Sequence, residues 1–199
     1  GNPQITFFKV VYRRHTNFAM ESMQQTITGN NSLSGRGVCK LSRNGDLVSS
    51  CYVQTTVTHT TNEVNNRLGF NLLKNVELRI GGQKIDKQSN TWMLVWSNLT
   101  NTVNQSLLLD KMVGGSMSLH NNTLKGGAPD ANVTAITVPL QFSFCRNPGL
   151  ALPLIALQYH DVELRITWGA TATADAEVYV QFIHLDTDER AALSSTPQN

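Results

Sequence analysis

No stretch of this 199-residue chain approaches the roughly 18 consecutive apolar residues of a membrane-spanning helix, and no basic-then-apolar leader opens it. The sequence therefore reads as a soluble, unsecreted domain. Charge is scarce: charged residues make up 15 % and the formal net charge is +2, so no long-range field steers the chain to nucleic acid or an acidic membrane. Cysteine is scarcer. Cys39, Cys51 and Cys145 form an odd set with no CxxC spacing, which argues against a disulfide framework and a zinc site and fits a reducing compartment. There is no Gly-x-Ser-x-Gly elbow, phosphate loop or dinucleotide fingerprint, and no cysteine has a motif histidine.

What is present is period-two alternation filled with β-branched and aromatic residues, which predicts about eight strands. Asn44-Gly45, the preferred pair for a two-residue type I′ turn, is expected to join Val38–Leu41 to Leu47–Val53 as a hairpin. That register pairs Cys39 with Ser50 and Val38 with Cys51, putting the two sulfurs on opposite faces. A second turn is expected at Gly81-Gly82, after a strand whose Val76, Leu78 and Ile80 face in while Glu77 and Arg79 face out, with Ile85 on the return.

Ser89-Asn90-Thr91 then introduces Trp92–Leu99, whose apolar positions 92, 95, 96 and 99 have helical spacing; it is expected to be the one sizeable helix, packed by that stripe on a sheet. Residues 100–132, rich in Asn, Gly and Ser, read as a long surface excursion between strands. Strands are expected to resume at 133–144, 152–157, 159–168 and 176–185, with Pro148 and Pro153 marking breaks. Antiparallel strands without a βαβ rhythm predict an all-β, eight-stranded jelly-roll sandwich with one short helix and one long excursion.

Two long segments carry a resemblance. The first runs from Gly1 through Phe7-Phe8-Lys9-Val10-Val11-Tyr12-Arg13-Arg14-His15-Thr16-Asn17-Phe18 to Ser22; the second is Phe144-Cys145-Arg146-Asn147-Pro148-Gly149-Leu150 through Gln158-Tyr159-His160-Asp161-Val162. Shorter echoes are Arg43-Asn44-Gly45-Asp46-Leu47, Ile80–Asp86 and Lys111-Met112-Val113-Gly114. Together these resemble the major capsid proteins of nucleocytoplasmic large DNA viruses. The resemblance implies a first jelly roll over residues 1–186 and the start of a linker over 187–199, leading to a second jelly roll. It also implies three chains per capsomer and a pseudo-hexagonal unit tiling an icosahedral shell. The chain begins at Gly1 and ends in a polar tail, so it is expected to be cut from something longer.

Arg13-Arg14-His15 is the densest cationic cluster, yet nucleic-acid binding needs a wider basic footprint, and guanidinium forks at a strand end or subunit contact account for it. A cupin-type metal site needs two histidines two apart on one strand, whereas His15, His59, His120, His160 and His184 are isolated. His160 is in phase with Val162, Leu164 and Ile166 and reads as a core or interface histidine. A lectin-like jelly roll would show clustered loop aromatics or a calcium-ligand run, and residues 100–132 have neither. Asn30, Asn98, Asn104, Asn121 and Asn132 head formal glycosylation sequons, a pattern a chain rich in Asn, Ser and Thr makes by accident.

Phe7, Phe8, Val10, Val11 and Tyr12 place apolar side chains on both faces of a strand, so one face calls for a partner. The expected subunit-interface or signature residues are Phe7, Phe8, Tyr12, Arg13, Arg14, His15, Asn17, Arg146, Asn147, Tyr159 and His160. The reading is a structural coat protein, not an enzyme, with no cofactor and no direct contact with nucleic acid or membrane. Its expected partners are copies of itself, neighbouring capsomers, and minor capsid and penton proteins; its expected place is the virion shell, assembled in the host cytoplasm.

Overall fold

The computed structural model describes residues 3–5, 10–12, 17–30, 35–59, 67–114, 132–169 and 174–195, of which 3–5, 10–12, 57–59, 132–134 and 174–175 are described as backbone only. A two-stranded ribbon, β1 (Pro3–Ile5) with β2 (Val10–Tyr12), precedes the body. Ten further strands and a set of helices follow among the described residues: β3 (Phe18–Gln25), β4 (Ile27–Gly29), β5 (Arg36–Lys40), β6 (Leu47–His59), α1 (Leu68–Leu72), β7 (Leu73–Ile80), β8 (Gln83–Ser89), α2 (Asn90–Thr100), α3 (Val103–Val113), β9 (Asn132–Pro139), α4 (Ser143–Arg146), a 3₁₀ turn (Pro148–Leu150), β10 (Leu152–Pro153), β11 (Val162–Trp168), β12 (Ala174–Leu185) and α5 (Thr187–Ser195).

The strands form two antiparallel sheets. One runs β9-β6-β12-β3, with β10 pairing the first residues of β6; the other runs β4-β5-β11-β7-β8. Nearly every long connection crosses between sheets, which is the jelly-roll arrangement. Alternation explains the core. Val162, Leu164, Ile166 and Trp168 of β11 face Val178, Val180 and Phe182 of β12 across the sandwich, all buried. Each such side chain contributes about 1.5–3 kcal/mol relative to an exposed position.

The Gly81-Gly82 hairpin is as expected: β7 pairs β8, and both glycines have positive φ, 57° and 82°. The Asn44-Gly45 hairpin is not formed. β5 and β6 lie in different sheets, Gly45 is not left-handed, and residues 41–46 bridge the sandwich. Long-range bonds hold this bridge: Leu41 N–H donates to Val162 O, Asp46 N–H to Ile183 O, and Asp46 Oδ2 accepts from Leu185 N–H. Arg43 adds donors to the carbonyls of Leu157, Gln158 and His160. Local turn propensity is outweighed by this pairing. Cys39 and Cys51 accordingly sit in opposite sheets, both facing the core, rather than on two faces of one hairpin. A bulge at Ser49, where β12 pairs Gln181 with Ser50 and Phe182 with Val48, resets the β6 alternation so that both Val48 and Cys51 point inward.

Helical content exceeds the one short helix expected. α2 forms where predicted, with Ser89 Oγ accepting from Trp92 N–H at 3.2 Å. A second helix of equal length, α3, occupies the front of the excursion, started by a Thr102–Gln105 capping box and stopped by left-handed Gly114. The strand expected over 133–144 ends at Pro139, the one over 152–157 is only Leu152–Pro153, and the one over 159–168 starts at Val162.

Candidate functional site

Two outer surfaces are more apolar than a solvated sandwich requires. The first is the outward face of the β3–β12–β6 sheet. Because Val178, Val180 and Phe182 face in, Ile183 and Leu185 turn out, beside Phe18 and Met20 of β3 and Leu47 of β6. They line an open groove of about 630 Å³, with Pro148 also in its lining. Phe18 is 61 % exposed and Met20 49 %.

The second surface is the helix pair. Only Met93 and Ser97 of α2 and Leu109 and Val113 of α3 are buried. The stripe expected to pack on the sheet faces outward: Trp92 and Val95 are exposed and Leu99 is 78 % exposed, joined by Val103 and Leu108 of α3. Across both helices the charged residues are Asp110 and Lys111 alone. A buried guanidinium fixes the pair. Arg67, at φ 58°, donates from Nε to Asp110 Oδ1 (2.7 Å), from Nη1 to Ser97 Oγ (2.8 Å) and Asn98 Oδ1 (2.7 Å), and from Nη2 to Ser106 Oγ (2.9 Å). One side chain thus ties both helices to the sandwich with its donor fork engaged on three sides. Arg146 adds a contact to α2, its guanidinium 3.9 Å from the centre of the Trp96 ring and its Nε donating to Gln141 O at 2.8 Å.

Among the described residues no three His, Cys, Asp or Glu side chains gather to hold a metal, and no helix is long and apolar enough to cross a membrane. Burial pushes the Cys39 thiol up to about 12. The Cys51 thiol donates a hydrogen bond to Cys145, which raises the former and lowers the latter.

Over residues 6–176 the sequence matches the family described as the N-terminus of the major capsid protein. The chain belongs to that family. The major capsid protein of Pyramimonas orientalis virus is 47 % identical, the match covering 96 % of this chain and 50 % of that protein. That of Paramecium bursaria Chlorella virus 1 is 41 % identical, over 99 % and 47 %. In structure, VP54 of the latter virus superposes with a TM-score of 0.82 at 35 % identity, covering 97 % of this chain and 48 % of that one. The Faustovirus major capsid protein, 10 % identical with a TM-score of 0.63, shares the fold. The chain therefore spans about half the length of these major capsid proteins, and their names describe structural proteins rather than enzymes.

Within this major capsid domain, Phe7, Phe8, Arg13, Arg14 and His15 lie outside the described residues, and Tyr12 is placed by its backbone in β2. Asn17 is exposed just before β3. Arg146 ends α4 and lies over Trp96, and Asn147 Oδ1 caps the 3₁₀ turn through Gly149 N–H at 2.9 Å. Tyr159 is 94 % exposed and apart from both surfaces. His160 is not a core histidine: it precedes β11 in an irregular turn, exposed beside Gly81, so its phase with Val162 has no strand to act through. Sequence reasoning missed Phe18, Met20, Ile183 and Leu185. The signal existed: Phe182-Ile183 and Leu47-Val48 are adjacent apolar pairs, the pattern used for Phe7-Phe8.

Proposed function

We propose that the chain is the shell-building first domain of a viral coat protein whose work is assembly. The observation that carries the reading is the pair of rigid, nearly uncharged apolar surfaces, the groove of Phe18, Met20, Leu47, Ile183 and Leu185 and the outward stripe of α2 and α3. Contiguous exposed apolar patches of this kind mark contact sites, because leaving them in water forfeits the hydrophobic gain of covering them. The full-length protein, on this reading, carries a second jelly roll beyond residues 187–199, forms homotrimers of pseudo-hexagonal outline, and tiles an icosahedral shell. Neighbouring capsomers and minor capsid and penton proteins are its partners, and the host cytoplasm is where it assembles. Direct contact with nucleic acid is not part of the scheme, in keeping with a net charge of +2.

Sedimentation at micromolar concentration tests this. The 199-residue chain should self-associate weakly and without a discrete stoichiometry, while a chain extended through the remaining half of the relatives' length should give a compact trimer, since stable obligate interfaces bury about 2,000 Å² or more. A monomeric extended chain, with both surfaces still wet, would overturn the proposal.

A further inference from the structure

The edge of β6 has a gap that the ladder does not fill. β10 pairs Leu47 and Val48, and β9 pairs residues from Tyr52 onward, so the edge at 49–51 is left to the segment following β9. Leu140 N–H reaches Cys51 O at 3.0 Å, and α4 packs into the remaining space, its Cys145 sulfur meeting both the backbone N–H and the thiol of Cys51. The two thiols differ in access. Cys51 is 1 % exposed beneath the sheet, whereas Cys145 is half-buried and forms part of the wall of the outer groove.

We infer that Cys51 and Cys145 are a latent disulfide: a modification site at which a small disulfide of the oxidised-glutathione class enters the groove, reacts with Cys145, and is displaced by Cys51. The order follows from access and from thiolate character. Cys145, favoured as thiolate by the Cys51 donors and by neighbouring Arg146, attacks one sulfur of the small disulfide; that S–S bond breaks and one small thiolate leaves. Cys51 then attacks the Cys145 sulfur of the mixed disulfide, forming the protein S–S bond and expelling the second small thiolate. The two cysteine protons end on the two released thiols, so two cysteines are oxidised and one small disulfide is reduced. Cys39 takes no part, because it is fully buried on β5 in the other sheet and does not line the groove. The product would staple α4 to the edge of β6 and close the long loop from residue 51 to residue 145.

The test uses the reduced full chain, incubated at neutral pH with oxidised glutathione without denaturant, then acid-quenched and mapped by mass spectrometry. The expected result is a chain lighter by about 2 Da with a Cys51–Cys145 linked peptide. Its melting temperature should rise by several degrees. Cys51→Ser should halt at a single glutathione adduct on Cys145, and Cys145→Ser should block the reaction. A wild-type chain that stops at the adduct, a Cys39–Cys51 bond, or a native chain that does not react would each overturn the inference, and none of these readings depends on a variant folding.

Discussion

A Cβ added to Gly45 would stand 2.7 Å from the Cβ of Phe182 and 3.3 Å from the carbonyl oxygen of Ile183. The glycine in the bridge between the sheets is therefore required by close approach and not by a left-handed turn. Gly45→Ala should cost about 1–3 kcal/mol by overpacking, and Gly45→Asn should be no better. At Gly82, where φ is 82° and nothing lies within 4 Å of an added Cβ, Asn should be tolerated better than Ala because it accepts left-handed backbone. Thermal melts of the four variants decide it; a Gly45→Asn that rescues Gly45→Ala would restore the turn explanation.

The Arg67 side chain joins α1's start to both α2 and α3, so its loss should act locally. Arg67→Met leaves Asp110 without its guanidinium and the Ser97 region without its donor, at a cost of about 2–3 kcal/mol. Hydrogen exchange should quicken across residues 90–113 and stay slow in β11 and β12. Uniform loss of protection would show that the clamp is global.

The strands legible in the sequence, β7, β11 and β12, are those in which alternation marks an inward apolar face, as Val76 and Leu78, Val162 to Trp168, and Val178 to Phe182 do. The first hairpin was misread because Asn44-Gly45 carries a strong local signal, while the partners that decide its geometry, Val162, Ile183 and Leu185, lie more than a hundred residues away. The outward stripe of α2 shows a second limit. Helical spacing of Trp92, Val95, Trp96 and Leu99 reports that a face is apolar, and it reads the same whether a sheet of the same chain or another subunit covers that face. The two outer surfaces were hidden for this reason, and because the Ser49 bulge shifts the phase of β6 by one residue.

Asp46 is buried and takes two roles, accepting from Leu185 N–H at 2.9 Å and pairing with exposed Arg190 of α5 at 3.0 Å. Arg190→Ala should change stability by less than about 1 kcal/mol, as exposed partners do. Asp46→Ala should cost about 1–3 kcal/mol, because it strands a backbone donor at the end of β12. Equal losses in the two variants, measured by denaturant unfolding, would contradict that division.

The buried Cys39 thiol gives a pH signature. Its folded pKa, about 12, lies above the ordinary value of 9.0, so between those limits the unfolded chain loses a proton that the folded chain keeps. Stability should therefore fall as pH rises from 9 to 12, and the fall should be shallower in Cys39→Ala. Parallel slopes in the two proteins would place the alkaline instability elsewhere.

On the proposed reading, the groove and the helix stripe should both be covered in the assembled coat. Hydroxyl-radical footprinting of the full-length protein, dissociated and assembled, reads this at Phe18, Met20, Trp92, Leu99 and Leu108. All five should be readily oxidised in the dissociated protein and strongly protected in the shell, with exposed Tyr159 as the reference. Equal oxidation in both states would mean that these surfaces face solvent in the particle, and that the contacts that build it lie elsewhere.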